Sequence, residues 1–73
     1  MSRQTLDLRG LTPPEPMVRI LSALAALGEG DEIEAILPHA PVPLYGLLQE
    51  RGAMWETLAD EPGRFVLLLK RGS

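Results

Sequence analysis

Apolar residues along this chain switch between a period of two and a helical period, and each switch marks an element. Thr5-Leu6-Asp7-Leu8 alternates and predicts a short strand. Met17, Ile20, Leu21, Leu24 and Leu27 then recur at i, i+3, i+4, i+7 and i+10, which places them on one face of a helix from about Pro14 to Leu27. Arg19, Ser22 and Ala26 fall on its other side. Gly28 follows as the expected left-handed C-cap, and Glu29-Gly30-Asp31 as a turn. Glu32 to Leu37 alternates again, with Ile33, Ala35 and Leu37 on one face. The proline-rich stretch Pro38 to Pro43 cannot continue a central strand. A second helix is predicted from about Pro43 to Arg51, with Leu44, Leu47 and Leu48 inward and Gly52 as its stop. Met54 to Leu58 and Arg64 to Arg71 read as two strands joined by the turn Asp60-Glu61-Pro62-Gly63. Phe65, Leu67 and Leu69 lie on the inner face of the last strand.

The first helix has a full set of start signals. Thr12 is placed to act as N-cap, and Pro13 takes the first helical position, where a missing N–H matters least. Glu15 stands three residues after Thr12, so the two are expected to form a capping box. Leu11 before the cap can staple onto the first turn, and Arg9-Gly10 makes a tight exit from the first strand.

The resulting order is βαβαββ in one domain over residues 1–73. Strands 1 and 2, joined through a helix, are expected to be parallel with a right-handed crossover, and strands 3 and 4 to form an antiparallel hairpin. Two helices cover only one face of four strands, so the fold class is α+β, a two-layer sandwich with its second sheet face open. Ile36, Val66 and Leu68 point to that open face, joined by Trp55 or Met54. An apolar patch on an uncovered face marks a contact with a protein partner or a second copy of the chain.

Composition narrows the function classes. With 45% hydrophobic and 23% charged residues the chain is ordinary globular. A net charge of −3 disfavours nucleic acid as a partner. The longest strongly apolar run, Phe65 to Leu69, is far too short to span a bilayer, and the first five residues do not resemble a signal peptide. The chain has no Cys, which removes disulfides and thiolate metal sites and fits a cytoplasmic setting.

Parallel strands 1 and 2 would bring their carboxyl ends, and the N-termini of both helices, to one edge, the usual ligand position in open α/β sheets. Arg9, Glu15, His39 and Tyr45 are the candidate ligand-binding groups there. Helix N-termini attract anions, but Pro13, Pro14, Pro16 and Pro43 remove donors from these two, which argues against a phosphate cradle. His39, the single His, suits proton acceptance or a metal, yet a metal needs further ligands that only carboxylates such as Glu15 could supply. Glu32 and Glu34 read as solvated carboxylates on one strand face. Ser2, Ser22 and Ser73 all lie far from His39 in this arrangement, so no nucleophile–base pair is expected.

The segment from Asp7 to Pro16 resembles the TusA/SirA-like sulfur-carrier proteins, in which this place reads roughly Asp-x-x-Gly-Leu-x-Cys-Pro-x-Pro and the Cys carries a persulfide. Asp7, Gly10, Leu11, Pro14 and Pro16 match, and Pro13 stands where the Cys would fall. His39-Ala40-Pro41-Val42-Pro43-Leu44 is similar to a segment of an uncharacterised branch that has the same Pro-for-Cys replacement. The resemblance implies the two-layer sandwich above. It carries over no catalytic residue and no cofactor, because the family's one reactive position is Pro13. It therefore implies a non-catalytic binding or regulatory module. A small-ligand or metal-binding protein using Arg9, Glu15 and His39 is the alternative. The branch also points toward redox, nitrogen-oxide or sulfur metabolism.

Overall fold

The computed structural model describes residues 2–72. Its elements are β1 (Arg3–Asp7), α1 (Glu15–Ala25), β2 (Glu32–Leu37), α2 (Val42–Glu50), β3 (Met54–Glu61) and β4 (Arg64–Lys70). The order is the expected βαβαββ. The four strands form one mixed sheet in the order β1-β2-β4-β3. β1 runs parallel to β2, and β4 is antiparallel to both β2 and β3. Leu8 lies just past β1 but extends its ladder, donating its N–H to the Ile36 carbonyl at 2.8 Å.

Both helices pack on one sheet face. Ile20, Leu24 and Leu27 from α1 and its exit meet Leu44 and Leu48 from α2 over Ile33, Ala35, Leu37, Phe65, Leu67 and Leu69. No polar side chain is buried among the described residues. No helix among them is long and apolar enough to cross a membrane. Leu47, expected on the inner face of α2, is half-buried outside this cluster.

The helix ends depart from expectation in an instructive way. Pro14, not Thr12, takes the N-cap of α1, and no side chain caps it. The peptide bond between Pro13 and Pro14 is cis. Thr12 contributes only its carbonyl, which accepts the Glu15 N–H at 2.9 Å. The capping box is therefore absent, and the Glu15 carboxylate instead receives Arg19 Nε one turn on, at 3.0 Å. At the far end Ala26 is the C-cap, and Gly28 is not left-handed; Gly30 takes that conformation at φ +86° within the following turn. α2 ends as its sequence predicts. Gly52 is left-handed at φ +67°. Its N–H reaches the Gln49 carbonyl, and the Ala53 N–H reaches that of Leu48, both at 3.0 Å. This pair of bonds is a Schellman motif.

The β3–β4 hairpin is longer than predicted. Asp60 and Glu61 belong to β3, and only Pro62 and Gly63 form the turn. A bulge near Leu58 shifts the register between Thr57 and Ala59. Trp55 stacks on Tyr45 of α2, with centroids 5.8 Å apart, and so faces the helices. Alternation then turns Met54 and Glu56 to the open face.

On that open face, the residues expected at an interface are less exposed than alternation alone suggests. Val66 is 2% exposed and Leu68 7%, while Ile36 is half-buried. The central position of β4 explains this. Val66 lies between Ile36 and Ala59, and Leu68 between Glu34 and Glu56, so each has neighbours on both flanks. At one end Glu32 bridges Arg3 at 2.9 Å and Lys70 at 3.2 Å, and both cations hold its carboxyl below the usual range, Arg3 the more. Of the large apolar side chains that are exposed, Met54 lies on this face, at its β3 edge; the others are Trp55 and Leu58 of β3 and Val18 and Val42 of the helices.

Leu67→Ala, at the fully buried centre of β4, is expected to lower unfolding stability by about 3 kcal/mol, whereas exposed Val18→Ala changes it by under ~0.5 kcal/mol. Gly52→Ala, which forces a side chain into the left-handed conformation, is expected to lose about 1 kcal/mol. Urea unfolding of the three variants measures all of this.

Candidate functional site

The parallel pairing of β1 with β2 sets Asp7 beside Ile36 at the carboxyl ends of both strands. The chain leaves this edge twice, once through residues 8–14 into α1 and once through residues 38–41 into α2. Between the two lips lies a cleft of about 310 Å³. Leu11, Pro13, Pro14, Pro16 and Met17 form one lip, and Pro38, His39, Pro41 and Pro43 the other. Ile20, Leu37 and Leu44, all core residues, make the floor. Six of the chain's seven prolines line this cleft; Pro62, in the distant hairpin turn, is the exception. His39, on the rim and exposed, is the one titratable side chain among the lining residues.

Of the four polar groups expected at this edge, His39 alone lines the cleft. Arg9 turns back onto Asp7 in a two-pronged pair, Nε to Oδ1 at 3.0 Å and Nη2 to Oδ2 at 2.8 Å. The backbone N–H of Arg9 also donates to Asp7 Oδ1, at 3.2 Å, so Asp7 braces the turn that leaves β1. Glu15 is held by Arg19. Tyr45 is stacked on Trp55, and burial, with the Asp60 charge second, pushes its phenol above the ordinary value. Among the described residues, no group of three or more His, Cys, Asp or Glu stands together to hold a metal ion.

The electrostatics of the cleft follow from its backbone. A helix N-terminus binds anions through unpaired first-turn N–H groups. In α1, the Glu15 N–H is taken by Thr12 and Pro16 has none. In α2, the Val42 N–H bonds the Ala40 carbonyl at 3.0 Å, Pro43 has none, and the Leu44 N–H bonds the Pro41 carbonyl at 2.9 Å. Two helix ends converge here with almost no donor pointed outward. Sequence reasoning weighed the polar residues of this edge and treated the prolines as a reason against phosphate. The same prolines were the signal for an apolar wall.

The Arg9 side-chain bonds, with the Arg9 backbone N–H second, lower the Asp7 carboxyl to about 2. A carboxyl depressed in the folded state contributes stability that is complete above about pH 4, its unfolded value, and is lost as pH falls toward 2. In Arg9→Ala the Asp7 titration, followed by carboxyl-carbon NMR, is expected to move up toward the ordinary value near 4.

The chain is similar to a SirA-like protein from Desulfitobacterium hafniense of known crystal structure, with a TM-score of 0.78 and 25% sequence identity over 96% of this chain and 99% of that one. No curated protein matches it. The family described as uncharacterized conserved protein (DUF2249) matches residues 5–71, nearly the whole chain. With its βαβαββ order, mixed four-stranded sheet and SirA-like fold, the chain belongs to the DUF2249 family.

Proposed function

We propose that this protein is a non-catalytic binding module of the SirA-like fold, with the proline-walled cleft as its working surface. One observation carries the reading. At the edge where the resemblance to sulfur carriers places a thiol, the chain has Pro13, and the cleft around it is apolar apart from His39. A covalent sulfur carrier needs a nucleophile with its activating environment, and neither a thiol nor an outward row of N–H donors is on offer here. A cleft of this size with apolar walls and one orienting polar group is instead the ordinary form of a ligand site. The absence of Cys fits a reducing compartment, and we place the module in the cytoplasm. The small-ligand alternative thus merges with the first reading at His39. The metal alternative lacks a gathered ligand set among the described residues.

The test is a native mass spectrum of the protein purified from its own host, beside Met17→Trp, whose indole would occupy the cleft. The wild type is expected to retain a small-molecule adduct that the variant, with an unchanged circular dichroism spectrum, has lost. A bare chain in both, or persulfide transfer or turnover by the wild type, would overturn the proposal.

A further inference from the structure

The chemistry of the cleft walls restricts what can enter. Resting on the binding-module reading above, we infer that the cleft selects an uncharged, mostly apolar small molecule with a single hydrogen-bonding group that meets His39, and that it rejects anions.

Three observations carry this. The floor is Ile20, Leu37 and Leu44, all within the core, so the inner end of a ligand meets only hydrocarbon. A charged group placed there would lose its water and gain no partner. Next, the two helix N-termini that would ordinarily attract an anion are closed to it. Of the six first-turn positions at 15–17 and 42–44, Pro16 and Pro43 have no N–H, and those of Glu15, Val42 and Leu44 are already bonded within the chain. Only Met17 is left. Finally, the charges around the site do not compensate. Arg9 is held by Asp7 through both prongs of its guanidinium, and Glu15 brings a carboxylate to the first turn of α1. That carboxylate takes up the positive end of the helix dipole. His39 remains as the one lining side chain able to donate or accept a hydrogen bond, and its place at the rim orients a ligand with its polar end outward.

The volume of about 310 Å³ sits at the lower end of ligand sites, which suits a molecule of one ring rather than a nucleotide or an extended cofactor.

The experiment uses two compounds matched in size and differing in charge, cyclohexylmethanol and cyclohexanecarboxylate. Each is titrated into the full chain while the methyl groups of Leu11, Met17 and Leu44 are followed by NMR. The alcohol is expected to shift these methyls saturably, and the carboxylate to bind more than about tenfold more weakly, the least that burying an unpaired charge should impose. In His39→Ala the alcohol is expected to bind roughly fivefold more weakly, the loss of one neutral hydrogen bond. Equal or tighter binding of the carboxylate at the same methyls would overturn the ligand class and leave the binding-module reading standing. If neither compound reaches those methyls, both fall. An unchanged affinity in His39→Ala would remove that residue from the proposal.

Discussion

Strand β4 is the constraint on which the rest of this structure depends. It pairs with β2 on one side and β3 on the other, and its five central residues, Phe65 to Leu69, are all buried. Three of them receive both helices, while Val66 and Leu68 fill the middle of the opposite face. A strand flanked on both sides can read as a continuous apolar run, and this one does. It is also the last strand in the chain. The βαβ unit formed by the first half of the sequence leaves one edge of β2 free, and β4 fills it. Joining the halves in this way buries a core in a chain of only 73 residues, with neither a disulfide nor a buried polar group among the described residues.

With β4 beside β2, β1 is left as the outer partner of β2, and the parallel pair determines where the cleft can be. Both loops must leave from the same edge, and both helices must begin there. What the edge then does is decided locally, by side chains that lack a donor or are already engaged. Asp7 takes Arg9, Arg19 takes Glu15, and proline rings replace N–H groups on both lips. The SirA-like scaffold is thus kept while the chemistry at its edge becomes that of a hydrocarbon surface with one imidazole.

Most of the fold was legible in the sequence because it rests on periodicity. Strict alternation in β2, the helical spacing of Ile20 and Leu24, and the Gly52 stop after α2 each depend on one local rule with no competitor. At the helix ends the structure departs from the sequence reading where two local rules compete. Thr12 and Glu15 have the spacing of a capping box, but Pro13, Pro14 and Pro16 impose their own backbone on the same turn, and Pro14 becomes the cap. Gly28 and Gly30 both suit a left-handed turn, and only the tertiary path selects Gly30. Alternation correctly assigned Val66 and Leu68 to the face away from the helices. It could not reveal that strands on both flanks would bury them, because strand order is a long-range property. Of the four polar edge residues, the parallel β1–β2 topology brings His39 to the cleft. Arg9 instead turns onto Asp7, a partner only two residues away in the strand it has just left.

The proline rings around the cleft have an effect separate from the donors they remove. Each fixes its own φ and narrows the conformations of the residue before it. Six of them on two facing lips leave those segments few alternative shapes, in the unfolded chain as in the folded one. The opening is consequently shaped by folding itself. A molecule entering it would meet walls with little conformational freedom left to lose, so the selectivity of this surface lies in rigidity as much as in polarity.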